Sequence, residues 1–179
     1  MTKTHVLTRE DLDLIETGKH LGMLIPIRPS TFVKREKVLY VLCNSGPELQ
    51  DRLMFGWNNI AKEIFPVMTY GGIVRLSSQA MFFDQGVIKA IEKADQVLKL
   101  GNTPLVTEFH YPCRDICEIR ALDFKNAFLH AIEGFSFATG TFGTNGREVI
   151  LLSHFTHPDG SMETFLVDKI DDWTGLLSQ

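Results

Sequence analysis

The sequence has no apolar run long enough to cross a bilayer. A membrane-spanning helix needs about 20 consecutive apolar residues, and every apolar run in this chain is shorter. The first residues, Met1 to His5, also lack the apolar segment of a secretory signal peptide. We therefore expect a cytoplasmic protein that has no membrane partner.

Positive charge is also scarce. The chain has 18 Lys and Arg residues against 22 Asp and Glu residues, which gives a net charge of −4. Its densest basic segment is Lys34 to Lys37, which Glu36 interrupts. Because proteins that bind nucleic acids present clustered basic residues, this composition indicates no nucleic-acid partner.

Cysteine is limited to three residues, Cys43, Cys113 and Cys117. A small and odd number argues against a disulfide framework and fits a reducing compartment. Each cysteine is then a buried apolar residue, a reactive thiol or a metal ligand.

The rest of the composition predicts one α/β domain over residues 1–179. Hydrophobic residues make up 44% of the chain, which is enough for a sizeable core at this length. We expect an N-terminal helical arm over 1–30 and an α/β core over 37–168. Strand and helix patterns alternate up to Phe135, so we predict a mostly parallel central sheet flanked by helices.

Three apolar segments have the pattern of buried parallel strands: Lys37 to Cys43, Phe65 to Tyr70 and Pro104 to Phe109. Two later segments, Glu148 to Thr156 and Met162 to Asp168, lie on either side of a Pro-Asp-Gly turn sequence and predict a C-terminal strand pair. In a parallel sheet the carboxyl ends of the strands lie at one edge, where ligands usually bind.

Capping residues predict where the helices begin. Thr8 and Asp84 are expected N-caps, and Ser45 together with Glu48 matches a capping box. The helix after Ser45 is expected to present one apolar face as far as Ile64, because its apolar residues recur every three or four positions. A long helix is expected from Asp115 to about Phe135.

Soft metal ligands stand at the ends of two predicted strands. Cys43 ends the first strand, and His110 with Cys113 follows the third. Two thiolates and one imidazole would form a three-ligand Zn²⁺ site with one open position, which is typical of a catalytic zinc. We predict that Cys43, His110 and Cys113 are metal ligands.

The order of these ligands resembles that of the beta-class carbonic anhydrases. That family has Cys-x-Asp-x-Arg after its first strand and His-x-x-Cys-Gly after its third, and Cys43, His110 and Cys113 match the ligand positions. The resemblance covers roughly Lys37 to Asp168. It implies a zinc-dependent lyase, or hydratase, that interconverts CO2 and bicarbonate through hydroxide held on zinc. It also implies a homodimer or a higher homo-oligomer.

The chain departs from the family beside the ligands. Ser45 stands where the family has the aspartate, Pro47 where it has the arginine, and Arg114 where it has the glycine. Met68 to Gly71 falls where the family has Arg-Asn-Ala-Gly. In the family, the Asp–Arg pair orients the water on the zinc. The sequence therefore leaves two alternatives to carbonic anhydrase activity. One is a catalytically altered or inactive member of the fold that keeps zinc or binds a small anion, and the other is a plain α/β interaction module.

Two other charged pairs are candidates to replace the missing Asp–Arg pair: Asp51-Arg52 and Arg114-Asp115. Charged helix residues are usually solvent-exposed, and we predict that all four are solvated. For Ser45, a helix N-cap is the preferred role, and contact with a metal ligand is the alternative.

The remaining soft ligands form weaker patterns. His154 and His157 lie three residues apart on a predicted strand, which points them to opposite faces and argues against joint ligation. Cys113 and Cys117 lack the Cys-x-x-Cys spacing of a redox pair, so we predict that Cys117 faces the core.

Overall fold

A computed structural model describes residues 5–46, 48–77, 83–119 and 121–178, with the side chains of 118 and 119 excepted. It contains one six-stranded sheet in the order β1-β6-β5-β4-β2-β3. The strands are β1 Leu24–Pro26, β2 Arg35–Cys43, β3 Ala61–Thr69, β4 Leu105–Tyr111, β5 Val149–Thr156 and β6 Met162–Val167. Strands β2 to β5 pair in parallel, and β1 and β6 are antiparallel. The predicted α/β class and mostly parallel sheet are confirmed.

Five α-helices surround the sheet: α1 Arg9–His20, α2 Leu49–Phe55, α3 Gln85–Leu98, α4 Phe124–Phe142 and α5 Ile170–Leu177. The Thr8 cap of α1 is confirmed, because its Oγ1 accepts a 3.2 Å bond from the Asp11 N–H and its own N–H donates to the Asp11 carboxylate. Asp84 caps α3 as predicted. None of the described helices is long and apolar enough to span a membrane.

The helix after β2 is much shorter than predicted. It ends at Phe55, a π-helical turn follows over Gly56–Ile60, and β3 begins at Ala61. Residues four apart, such as Ile60 and Ile64, lie on one face of a helix. They also lie on one face of a strand, because strand side chains alternate and four is an even number. The β-branched and aromatic residues beyond Ile60 favour a strand, which pairs in parallel with β2.

The long helix predicted from Asp115 is two segments. A π-helical turn spans Arg114–Ile119, and Asp123 then caps α4 by accepting a 2.9 Å bond from the backbone N–H of Asn126. α4 continues to Phe142 and includes the glycines Gly134 and Gly140. Gly134 lies where a Cβ would be 2.2 Å from the carbonyl oxygen of Ile73. This glycine therefore permits close packing inside a helix and does not end it.

The predicted N-terminal helix packs on its own chain. Gly18 of α1 lies against Trp173 of α5, where an added Cβ would be 2.5 Å from the indole ring. Lys19 forms a 3.0 Å ion pair with Glu163 of β6. These contacts hold α1 against the C-terminal part of the chain.

The two faces of the sheet have different cores. One face, here called the aromatic face, is covered by α4 and α5 and contains an array of contacting rings: Phe109, Phe124, Phe128, Phe155, Phe165 and Trp173. The other, here called the α2 face, is covered by α2 and the π-helical turn after it, and contains Val38, Tyr40, Leu42, Val106, Ile150 and Leu152. Since side chains alternate along each strand, Glu108 and His110 of β4 also belong to the α2 face.

Candidate metal centre

The three predicted ligands lie together. Cys43 is the last residue of β2, His110 is the next-to-last of β4, and Cys113 follows β4 by two residues. β2 and β4 are parallel neighbours, so their carboxyl ends are adjacent. The ligand atoms of Cys43, His110 and Cys113 all lie within 4.8 Å of one another, and all three residues are buried. They are the one such group of His, Cys, Asp and Glu residues found among the described residues.

The geometry fits a tetrahedral ion. With Zn–S bonds of about 2.3 Å, two thiolates at a tetrahedral zinc are about 3.8 Å apart, and the sulfurs of Cys43 and Cys113 are 3.7 Å apart. Nε2 of His110 is buried and has no hydrogen-bond partner among the described residues. A buried polar atom without a partner is costly unless something else satisfies it. A metal ion coordinated at this nitrogen would do so.

The thiols of Cys43 and Cys113 form a hydrogen bond, with their sulfurs 3.7 Å apart. The hydrogen bond from the Cys113 thiol is the main cause that holds the pKa of Cys43 far below its usual range, against the opposing effect of burial. His110 and Ser45 lower that pKa further. The same hydrogen bond, together with burial, raises the pKa of Cys113 far above its usual range. The site therefore stabilises a thiolate at Cys43 before any metal binds.

Backbone N–H groups also point at the Cys43 sulfur. The N–H of Gly71 donates to it at 3.0 Å and that of Ser45 at 3.4 Å. Gly71 and Gly72 both have positive φ, at 95° and 57°, and a Cβ on Gly72 would lie 2.6 Å from the carbonyl oxygen of Glu108. Two glycines are needed here because the turn must bring its backbone against both β2 and β4.

Ser45 lies at the site and is not a helix cap, so the predicted capping box is wrong. Its Oγ is 3.0 Å from the Cys43 sulfur and 3.2 Å from the Cys113 sulfur. α2 begins only at Leu49, and Glu48 before it makes no side-chain cap bond. Ser45 is thus too far from the first helical turn to cap it. The alternative role, contact with the ligands, is the one observed.

Arg114 and Asp115 begin the π-helical turn after β4, and the carboxylate of Asp115 lies beside the predicted ligands. Arg114 is exposed, as predicted. Asp115 is only partly exposed, and its Oδ2 lies 3.8 Å from the Cys43 sulfur. Burial is the main cause that raises the pKa of Asp115, and the negative charge of Cys43 adds to it. The prediction that Asp115 is solvated therefore holds only in part.

The structure contradicts the prediction that Arg52 is solvated. Asp51 is exposed as predicted, whereas Arg52 is only 1% exposed. The Arg52 guanidinium pairs with Glu108, which is fully buried, and its Nη2 donates to the carbonyl oxygens of Cys43 at 3.2 Å and Ser45 at 2.8 Å. Arg52 is the buried residue of the short helix α2, and the sequence pattern does not reveal that.

Glu108 belongs to a chain of buried polar groups that the sequence analysis missed. Its Oε2 accepts a 3.0 Å bond from the Tyr40 hydroxyl, which lies 3.2 Å from Nε2 of His154. Nδ1 of His154 is 2.8 Å from the Thr164 hydroxyl. We call Arg52, Glu108, Tyr40, His154 and Thr164 the polar chain. The available signal was the one carboxylate inside the buried strand β4.

Burial is the main influence on which groups of the polar chain carry a proton. It is the main cause that raises the pKa of Glu108, against the opposing charge of Arg52. It also raises the pKa of Tyr40, with Glu108 as the second cause. For His154, burial and then the Arg52 charge lower the pKa well below its ordinary value, so the imidazole is neutral. Tyr40 is accordingly a hydrogen-bond donor, and His154 is an uncharged member of the polar chain.

The weaker patterns do not form a second site. His157 contacts Glu163 at 2.7 Å through its Nε2, whereas His154 contacts Tyr40 and Thr164, so the two histidines have different partners. Cys117 lies in the hydrophobic core, as predicted. Its sulfur accepts a 3.4 Å bond from the Cys113 N–H.

Comparison with known proteins gives no assignment. No protein-family model and no curated protein matches this chain. The likeness to carbonic anhydrases therefore depends on the ligand residues and their order alone. What the structure adds is a buried group of two cysteines and one histidine that is compatible with metal binding.

Proposed function

We propose that this chain is a divergent zinc enzyme of the beta-carbonic-anhydrase type, which interconverts CO2 and bicarbonate. The observation that supports it best is the buried group of Cys43, His110 and Cys113, with the two sulfurs 3.7 Å apart and Nε2 of His110 unpartnered among the described residues. The order of these ligands along the chain agrees with the family pattern.

Two thiolates and one imidazole suit Zn²⁺ and leave one coordination position open. When bound, Zn²⁺ supplies a Lewis acid that makes water a nucleophile near neutral pH. The protein side of the site holds Cys43 ready as a thiolate and keeps both sulfurs away from bulk water. The buried imidazole of His110 completes the set without a competing hydrogen bond at Nε2 among the described residues.

Ser45 and Asp115 are the groups best placed to orient the attacking water. The Ser45 hydroxyl contacts both ligand sulfurs and bonds to the Asp115 carboxylate. Asp115 would then accept a hydrogen bond from the water, in place of the aspartate that the family has at the position of Ser45. The carboxylate of Asp115 lies 3.8 Å from the Cys43 sulfur, which puts it beside the ligands but not among them.

The first test is the metal content of the purified protein. We expect about one zinc per chain, lost in Cys43→Ala and retained in Cys117→Ser, because Cys117 is a core residue outside the ligand group. A content below roughly 0.2 zinc per chain that Cys43→Ala leaves unchanged would sink the metal site.

The second test is CO2 hydration by stopped flow with zinc-loaded protein. We expect activity that falls in Asp115→Asn and Ser45→Ala while the zinc content is unchanged. Lower activity at unchanged zinc content would show that these residues orient water and are not needed to bind the metal. If both variants match the wild type, the proposed role of this pair is wrong.

A second candidate is a zinc protein of the same fold that has lost CO2 hydration. The observation that favours it is the engagement of Arg52, a buried arginine beside the site, with Glu108 and two backbone carbonyls. It is therefore not available to pair with Asp115 as the family's arginine pairs with its aspartate. Full zinc loading with hydration at the background rate would select this candidate.

The same proposal includes a homodimer or a higher homo-oligomer. β3 is an edge strand of the sheet. Met68 near its end and Tyr70 just after it are 47% and 66% exposed. Tyr70 directly precedes Gly71, whose N–H contacts the Cys43 sulfur. Light scattering with size-exclusion chromatography would give twice the monomer mass or more if a second copy covers this edge, and the monomer mass would contradict it.

A further inference from the structure

Arg52 reaches both of the segments that carry the candidate ligands. One side of its guanidinium pairs with Glu108 on β4, and its Nη2 donates to the carbonyl oxygens of Cys43 and Ser45 at the end of β2. The side chain is only 1% exposed, so these contacts lie away from bulk solvent. A single buried cation thus links the two strand ends.

Glu108, the partner of Arg52 on β4, lies close along the strand to the predicted ligand His110. Glu108 and His110 are two residues apart on one strand, so their side chains leave the same face. Glu108 is held from two directions, by Arg52 and by the Tyr40 hydroxyl at 3.0 Å. Fixing Glu108 fixes the stretch of β4 from which the His110 imidazole projects.

The carbonyls that Arg52 binds determine how the first ligand segment leaves β2. The carbonyls of Cys43 and Ser45 are separated by one residue, Asn44, and both point to Nη2. This brings the chain back over the site, so that the Ser45 hydroxyl contacts both sulfurs. Only a planar group with several donors can bind Glu108 and these two carbonyls together.

Stability alone does not explain this arrangement. A buried ion pair is roughly as stable as the well-packed apolar residues that could replace it, so its value lies in the geometry that it imposes. Here the geometry imposed is that of the segments bearing Cys43 and His110. Partners of metal ligands commonly determine metal affinity in this way.

We propose that Arg52, through its pair with Glu108, is a positioning residue that holds Cys43 and His110 at the separation a metal ion requires. This inference rests on the metal site proposed above. It predicts that Arg52 determines metal affinity and ligand angles without contacting the ion.

The test is zinc affinity, measured by competition with a chromophoric chelator, for the wild type, Arg52→Lys and Arg147→Lys. Lysine keeps the charge but loses the planar fork. Arg147 is a matched control, because it is also buried, pairs with Asp95 at 2.6 and 3.0 Å, and donates to the Thr103 carbonyl at 2.7 Å. It lies next to the amino ends of β4 and β5, away from the ligands.

We expect Arg52→Lys to weaken zinc binding by about 10–100-fold, which is the usual effect of removing a partner of the ligands, and Arg147→Lys to leave it unchanged. Unchanged affinity in Arg52→Lys, or equal weakening in both variants, would overturn the positioning role and leave the metal site intact. A wild type that binds no zinc would overturn the metal site, and the positioning role with it.

Two further measurements guard against a misfolded variant. Co²⁺ substitution reports ligand angles through its visible bands, and we expect these bands to change in Arg52→Lys but not in Arg147→Lys. If Arg52→Lys does not fold, Glu108→Gln removes the charge at nearly constant shape and is expected to weaken zinc binding in the same direction. Wild-type affinity in a folded Glu108→Gln would then overturn the proposal.

Discussion

The two faces of the sheet are buried to a similar degree but by different chemistry. On the aromatic face, Phe128 contacts Phe109 and Trp173 at ring-centre distances of 5.2 and 4.8 Å. On the α2 face, Arg52 and Glu108 are equally buried but are joined by hydrogen bonds. Apolar burial is stabilising wherever it occurs, whereas buried charges are stable only while each has its partners. The aromatic array therefore supplies stability, and the Arg52–Glu108 pair supplies a fixed arrangement beside the candidate metal site.

The largest effect is expected on the aromatic face. Phe128→Ala removes a fully buried ring and leaves a cavity, which should lower the free energy of unfolding by about 3–5 kcal/mol. Zinc bound per folded chain should not change, because Phe128 is not one of the predicted ligands and its ring contacts are with other aromatic residues. Urea unfolding gives the first quantity and metal analysis the second. Loss of zinc from a variant that remains folded would break the distinction between the faces.

On the α2 face, Glu108→Leu leaves Arg52 buried without its carboxylate. Unpairing a buried ion pair costs about 3–5 kcal/mol, and we expect the low end because the leucine recovers some apolar contact. Unlike Phe128→Ala, this change should also weaken zinc binding. Urea unfolding and chelator competition on the same preparation compare the two faces directly. Wild-type stability in Glu108→Leu would mean that the pair is not buried as described.

The double variant Arg52→Met, Glu108→Leu converts the polar pair into apolar residues. Because a buried pair is about as stable as its apolar replacement, we expect its free energy of unfolding to return to within about 1 kcal/mol of the wild type. Zinc affinity should nevertheless stay low, since the clamp on the Cys43 and Ser45 carbonyls is absent. If the double variant regains zinc affinity together with stability, then the α2 face also contributes stability only.

The polar chain predicts a dependence on pH that the aromatic face lacks. His154 is neutral when folded, because burial and the charge of Arg52 lower its pKa, whereas in the unfolded chain it takes up a proton below about pH 6.5. The unfolded state therefore binds the extra proton in acid, and this part of the stability is lost as pH falls below that value.

The comparison is between the wild type and His154→Gln, both with chelator present so that metal loss does not contribute. From pH 7.5 to 5.5, the wild type should lose about 1.4 kcal/mol more than the variant, since one proton changes the free energy of unfolding by about 1.4 kcal/mol per pH unit. Parallel curves would show that His154 is protonated in the folded protein and that the neighbouring charges have been misjudged.

The sequence was sufficient to predict that Cys43, His110 and Cys113 lie together, because these residues have a local signature. Cys43 and His110 end or nearly end apolar strands, and parallel strands bring their carboxyl ends together, so the topology alone predicts that the ligands converge. The sheet class follows from the same alternation of strands and helices. Both predictions use short-range patterns that tertiary packing does not change.

The surroundings of the ligands could not be predicted because they depend on tertiary packing. Arg52 has the pattern of a surface helix residue, but in the short helix α2 it is buried and pairs with Glu108. Ser45 matches a capping box, but the helix begins too late for it to cap, so it contacts the two sulfurs instead. Where a polar group is buried depends on which partners the fold brings to it, and a pattern along one segment does not contain that information.

The most direct test of the metal centre is X-ray absorption at the zinc edge of the zinc-loaded protein. We expect two sulfur neighbours at about 2.3 Å and an imidazole nitrogen at about 2.0–2.1 Å, with one further light atom. Two sulfurs and one imidazole nitrogen would match Cys43, Cys113 and His110, and the sulfur signal should fall by half in zinc-loaded Cys43→Ser. A shell of light atoms without sulfur, or an unchanged sulfur signal in Cys43→Ser, would contradict the account.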